Sequence, residues 1–169
     1  MAGSTHMHIR FITTGGTIDK IYFDALSDYH VGESPLQSIL LEGLVELEHD
    51  IVPLLRKDSL EVTDEDRAAL REYISNDDAT HYVITHGTDT MPETAEVLRG
   101  FEGKTIVLTG ALTPARFRTT DAPFNVGMAV ATVQIAPPGV YIAMSGPVFE
   151  AGAVRKNRAA TRFEPIDRS

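Results

Sequence analysis

Short apolar runs alternate with helical-period segments along the whole chain, and that alternation limits the fold more than any other feature. The runs lie at residues 9–12, 51–55, 81–85, 104–109 and 139–144. Between them, apolar residues recur at helical spacing: Leu36, Ile39, Leu40, Leu44 and Leu47 within 33–47, then Leu70, Tyr73 and Ile74. Thr63 followed by Asp64, Glu65 and Asp66 reads as a helix cap with acids in the first turn. Residues 92–99, opened by Pro92, and residues 124–135 complete the helices. A helix between two strands carries the chain back, so the strands it joins run parallel. The expectation is an α/β fold, a three-layer, mostly parallel sheet with helices on both faces. The 169 residues suit one domain, expected over 7–169. Residues 1–6 read as a tag remnant ahead of a natural start at Met7.

In such a sheet the loops that follow parallel strands gather at one edge, where ligands bind. The residues assigned to that edge are Thr17, Asp58-Ser59, Gly87-Thr88-Asp89, Gly110-Ala111 and Ser145-Gly146. They are rich in hydroxyls, carboxylates and glycines. Thr17 follows the pair Gly15-Gly16, which lets a ligand approach the main chain closely. A helix opening near Pro92 points free amides towards anything held by Thr88 and Asp89. Residues 19–32, with Tyr22, Phe23 and Tyr29, read as a long polar loop of the lid or disordered kind. Pro53 places the second strand at an edge or an irregular position, and residues 148–163 read as short irregular strands.

Composition removes several classes. The formal charge of −9 argues against nucleic acid, which demands clustered cations. No apolar run approaches the ~18 residues of a membrane span. Cysteine is absent, so thiolate chemistry and disulfides are excluded, which fits a reducing compartment. The six histidines lack metal-ligand spacing, and His86 reads as a packed residue behind the site. Neither a dinucleotide-binding glycine turn nor a P-loop occurs, and Ser145 lacks the nucleophile-elbow pattern. No cofactor and no metal are expected.

Thr14-Gly15-Gly16-Thr17-Ile18, taken with Thr85-His86-Gly87-Thr88-Asp89-Thr90-Met91, resembles the two signature motifs of the bacterial-type L-asparaginases, in order and in separation. Asp58-Ser59-Leu60-Glu61, Thr109-Gly110-Ala111 and the Asp121 to Asn125 segment resemble further landmarks of that family. The resemblance covers nearly the whole chain from Met7. It implies the family's N-terminal catalytic domain, of flavodoxin-like or Rossmann-like type, and an amidohydrolase that converts L-asparagine to L-aspartate and ammonia.

Carried over by position, the resemblance implies that Thr17 is the nucleophile. Thr88, Asp89 and Lys156 match a second triad, in which Asp89 also holds the substrate's amino group. Asp58 and Ser59 match the turn that grips the α-carboxylate. Tyr29 matches the lid tyrosine better than Tyr22 does. Gly16 and Gly87 are expected to present amides to the oxyanion, and Ala111 to line the pocket. On chemistry alone, either a lysine neutralised by partial burial or a lid tyrosine can activate a threonine hydroxyl. Lys156 as a surface lysine among arginines, and Tyr29 as lid packing, stay open.

Family members commonly carry a smaller C-terminal domain, and this chain stops near where it begins. That implies either a short-chain, single-domain member or a truncated one, and a homodimer or tetramer in which a neighbour closes the site. Residues 33–47 and the tail are the candidate contacts. Leu60 stands where some members carry a polar substrate contact, which suggests a weaker grip. Glutamine or another carboxamide as substrate, and a non-catalytic amino-acid-binding domain, are the alternatives. A cytoplasmic location is expected.

Overall fold

A computed structural model describes residues 7–23 and 28–166 of the chain. Residues 1–6, expected to be a tag remnant, lie outside the described residues, as do 24–27 and 167–169. The central sheet has six strands in the order β4 (Glu48–Lys57), β1 (His8–Gly15), β5 (His81–Thr85), β6 (Thr105–Thr109), β7 (Gly139–Ala143) and β8 (Val148–Glu150). The first five are parallel, and β8 joins β7 antiparallel. In the register Phe11 lies opposite Ile51 on one side and Val83 on the other. Pro53 sits on edge strand β4, where its missing N–H leaves no gap in the ladder.

Consecutive strand residues point to opposite faces, so each strand feeds two cores. Ile12, Ile84 and Leu108 join Leu70 and Ile74 of α2 (Asp64–Asn76) and Met91 and Ala95 of α3 (Met91–Val97). Phe11, Val83 and Val107 join Leu36 and Leu40 of α1 (Leu36–Glu42) and Val126, Ala129 and Val133 of α4 (Ala122–Ile135). Each of these large side chains contributes roughly 1.5–3 kcal/mol by leaving water. The three expected layers are therefore present.

Three details differ from the expectations. The helix expected over 33–47 covers only Leu36–Glu42. Leu44 turns left-handed at φ 51°, and Val45 N–H donates to Leu40 O at 3.0 Å, which closes the helix as a Schellman turn. Leu44 then stands in solvent, although its spacing continues the apolar period. Residues 19–32, expected as a loop, contain a hairpin of β2 (Lys20–Phe23) and β3 (Asp28–Val31). Tyr22 and Tyr29 face each other across it with ring centroids 5.3 Å apart, an aromatic cross-strand pair of the kind that stabilises short ribbons. The tail adds, beside β8, a second hairpin of β9 (Val154–Asn157) and β10 (Arg162–Pro165).

Counting only the parallel strands in chain order, the sheet reads 2-1-3-4-5. The winding direction reverses between β1 and β5. The crevice beyond the carboxyl ends of those two strands is the place where such a sheet accepts a ligand.

Candidate active site

The turns after β1, β4 and β5 interlock through glycine. Gly16 has φ 86° and ψ −174°, a region essentially closed to other residues, and a Cβ there would run into the Gly87 backbone. A Cβ on Gly87 would in turn strike Ser59. Thr17 and Thr88, the residues that follow these two glycines, thus leave abutting turns of neighbouring strands.

Lys156 reaches this crevice from the tail. On β9 it pairs in register with Phe163 of β10, and its Nζ lies 5.1 Å from the centre of the Phe163 ring. The Nζ donates to Thr88 Oγ1 at 2.9 Å. Burial holds the ammonium's pKa below its ordinary value. Asp89 and Asp121 oppose that shift and Arg158 adds to it. A lysine of this kind gives up its proton more readily than a solvated one.

Thr17 opens a short 3-10 turn, Thr17–Asp19. It lines an open pocket of about 300 Å³ with Lys20, Tyr29, Pro114 and Phe117. The Tyr29 and Phe117 rings are 6.0 Å apart. The Gly16 amide, expected to face the oxyanion, is already engaged: it donates to Lys57 O at 2.9 Å. Gly16 serves by lacking a side chain, and the first amides of the 3-10 turn, at Thr17 and Ile18, have no partner within it.

The loop after β5 is held from behind by a buried relay. Arg67 Nε on α2 donates to Thr94 Oγ1 at 3.1 Å, and Thr94 Oγ1 lies 2.9 Å from His86 Nε2. The Gly87 carbonyl facing Nδ1 can only accept, so neutral His86 carries its hydrogen on Nδ1 and Nε2 accepts from the Thr94 hydroxyl. Nδ1 then donates to Gly87 O at 2.6 Å. Burial lowers the His86 pKa to about 4, against the raising effect of the Gly87 carbonyl and with Arg67 adding to the fall, so the imidazole is neutral. Ser59 Oγ donates to the same carbonyl at 3.0 Å. With two donors drawing the Gly87 carbonyl inward, the planar peptide turns the Thr88 N–H the other way.

Other expected site residues sit differently. The Ser59 hydroxyl, 2% exposed, is committed to Gly87 O and accepts from Thr90 N at 2.7 Å. That second bond uses an amide at the start of α3 that was expected to be free. Asp58 pairs with Lys20 Nζ at 2.6 Å and caps the Ser59–Glu61 turn. Burial raises its pKa, but Lys20 and the capping amides more than offset this, and the carboxyl is held below its ordinary range. Ala111, expected to line the pocket, packs into the core on the α4 side and is 1% exposed. Asp89 is half-buried beside Lys156.

Two groups were not assigned roles from the sequence. Asn125, fully buried on α4, donates to Gly110 O at 3.0 Å and accepts from Ser145 N at 3.0 Å, tying the loops after β6 and β7 together. Asp121 accepts from Leu112 N, Thr113 N and Asn125 Nδ2. Their i, i+4 spacing at the start of a helix is the signal that marks such a brace. Asp19 is the second, buried two residues after Thr17 on the same 3-10 turn. Among the described residues no cluster of three or more His, Cys, Asp or Glu is placed to hold a metal.

Residues 8–167 match the family model "Asparaginase, N-terminal". L-asparaginase 2 of Escherichia coli is 32% identical over 162 residues, which span 88% of this chain and 46% of the relative. The glutaminase-asparaginase of Acinetobacter glutaminasificans is 28% identical over 165 residues, 88% of this chain and 49% of the relative. The thermostable L-asparaginase from Thermococcus kodakarensis superposes with a TM-score of 0.83 at 24% identity, covering 96% of this chain and 52% of that one, a likeness of fold. The chain spans about half the length of the curated relatives it matches.

Proposed function

This chain belongs to the asparaginase family, and on that footing we propose that the crevice between the β1 and β5 turns hydrolyses the side-chain amide of L-asparagine to L-aspartate and ammonia. The observation that carries the reading is the 2.9 Å contact of Lys156 Nζ with Thr88 Oγ1, made by a lysine whose burial favours its neutral form. It joins a proton carrier from the tail to a hydroxyl beside the nucleophile turn, a pairing that core packing alone does not require.

Thr17 Oγ attacks the amide carbon, and its proton passes to the base. Lys156, acting through Thr88, is the candidate base on one side and Tyr29, on the hairpin, on the other. The C–O bond forms as the carbonyl π pair moves to oxygen, and the amides of Thr17 and Thr88 are the proposed donors for that oxyanion. The returning proton makes the nitrogen a leaving amine, the C–N bond breaks, and ammonia departs. Water then attacks the threonyl ester and restores the Thr17 hydroxyl. Asp89, beside Lys156, offers a carboxylate for the substrate's ammonium group. Asp58 and Ser59 hold the turn at which the α-carboxylate is proposed to bind. Their side chains act by placing that turn's backbone, since both are committed to Lys20, Gly87 and Thr90. Gly16 and Gly87 serve by allowing the turns to abut.

Ammonia release by wild type and Thr17→Ala, on asparagine and on glutamine, tests the proposal. A variant with wild-type turnover removes Thr17 as nucleophile, and no ammonia from either amide refutes the amidohydrolase reading. Glutamine is the second reading, supported by the relative named glutaminase-asparaginase. Equal or faster turnover of glutamine selects it. A homodimer or tetramer, activity carried by the domain over 7–169, and a cytoplasmic location belong to the same proposal. Light scattering, activity of this chain alone and cell fractionation test them in turn.

A further inference from the structure

Asp19 lies two residues beyond Thr17, on the same 3-10 turn, and is 2% exposed. Its backbone is fastened on both sides: its N–H donates to Gly16 O at 3.1 Å, and its carbonyl accepts from Gly32 N, just past the β2–β3 hairpin, at 2.9 Å. Its Oδ1 accepts no hydrogen bond from any described residue. A buried carboxylate with an unfilled oxygen is expensive to keep, so an apolar or amide side chain is the ordinary choice there. The groups that face it are Ser34 from the segment before α1, Arg56 from β4 and Arg116 from the loop after β6. Its chain neighbour Lys20 is directed instead at Asp58.

Arg116 ties that charge to the pocket wall. Its Nη2 donates to Glu33 O at 3.0 Å, and the adjoining Ala115 N donates to Ile18 O at 3.1 Å. Pro114 and Phe117, on either side of this anchor, line the Thr17 pocket opposite Tyr29.

We propose that Asp19 is a positioning residue. Its backbone fastens the Thr17 turn to the base of the Tyr29 hairpin, and its buried carboxylate, facing the charge of Arg116, holds the Pro114–Phe117 wall against that turn, so that substrate affinity depends on its being ionised. The proposal rests on reading this pocket as the amide-hydrolysing site. Burial pushes the Asp19 carboxyl up to about 6, against the lowering influence of Ser34, Arg116 and Arg56. The charged form therefore prevails at neutral pH, and protonation just below it removes the charge that faces Arg116.

The folded-state value lies above that of an unfolded aspartate. Stability from this group is therefore present in acid and lost as pH rises through about 6. Asp19→Asn keeps the shape and removes the charge. The melting-temperature difference, variant minus wild type, is expected to move in the variant's favour by roughly 5–10 °C between pH 4.5 and pH 8. Its KM for asparagine is expected to rise about tenfold with kcat within threefold, and to stay flat from pH 5 to 8 while the wild-type KM climbs below pH 6. Arg116→Gln, an exposed change, is expected to raise KM similarly. Both variants should speed hydrogen exchange in peptides covering 28–34 and 113–118 at pH 7.5. A KM that tracks the wild type, an unchanged stability difference between the two pH values, or wild-type exchange in both peptides overturns the proposal. If wild type releases no ammonia from asparagine or glutamine, the reading of the site falls by itself. The melting and exchange measurements then still decide the coupling by Asp19.

Discussion

Gly16→Ala probes the interlock on which the whole crevice depends. Two penalties apply together. At φ 86° and ψ −174° an alanine occupies backbone territory that costs on the order of 1–3 kcal/mol. Its Cβ also meets the main chain of Gly87, with the His86 carbonyl carbon 2.9 Å away, and rigid backbone cannot step aside as a side-chain tip can. Overpacking of that kind costs about 1–3 kcal/mol more. A total near 2–6 kcal/mol is a large share of the roughly 5–15 kcal/mol that holds a domain folded. For a chain of this size it lowers the melting temperature by roughly 5–20 °C. The surviving folded protein has its Thr17 turn pushed off the Thr88 turn, and a shift of about 1 Å in reacting groups lowers turnover on the order of a hundredfold. Gly103→Ala is the control. Gly103 also has positive φ, at 69°, but a Cβ there meets nothing within 4 Å, so it carries strain without collision. Thermal melting by circular dichroism and ammonia release per folded molecule measure both effects. If Gly16→Ala melts within 2 °C of the Gly103→Ala control and turns over like wild type, the turns are not interlocked and the argument fails.

Lys156→Met and Thr88→Val should each lower kcat by roughly a hundredfold or more, the usual scale for a positioned proton carrier. Thr88→Ser should retain most of it, and Lys156→Arg, which keeps the charge but cannot lose its proton, should not rescue, as initial rates will show. Because burial lowers the Lys156 pKa, kcat/KM should rise with pH through a limb set below an ordinary lysine, and a profile that places it at or above the ordinary value refutes the neutral-lysine role. Thr94→Val removes the hydroxyl that donates to His86 Nε2 and should lower kcat about tenfold with little change in KM, leaving circular dichroism unaltered. His86 stays neutral in the folded state down to about pH 4, so the unfolded chain takes up the proton first as pH falls from 6.5. The fold should lose about 3 kcal/mol from this group by pH 4, a slope that urea titrations should find missing in His86→Asn. Tyr29→Phe keeps the ring contacts with Tyr22 and Phe117 and removes only the hydroxyl. A fall in kcat of more than tenfold assigns that hydroxyl to the reaction, and wild-type turnover assigns Tyr29 to packing.

The alternation of apolar runs and helical segments determined the layers, the parallel strands and the edge at which the chemistry gathers, because periodicity and crossover length are local properties of a chain. Pro53 on the edge strand and the Thr63 cap follow from single-residue chemistry in the same way. The hairpin of the Tyr29 segment was not legible, since it is held by the Gly32–Asp19 bond and by Phe117 against Tyr29, contacts made from outside the local sequence pattern. Nor was the end of α1, where a left-handed residue stops the helix while the apolar spacing runs on. Only tertiary structure decided which polar groups near the crevice are free. Ser59, Asp58 and the Gly16 amide look available in the sequence, yet each is consumed by a partner from another strand end. Lys156 meets Thr88 across 68 positions of chain, and Asp19, on the Thr17 turn, is buried. Residue types and their order determine which groups can reach the edge of a sheet. Whether a given donor faces a substrate or a neighbour depends on distances between turns far apart in the chain, which only the folded packing sets.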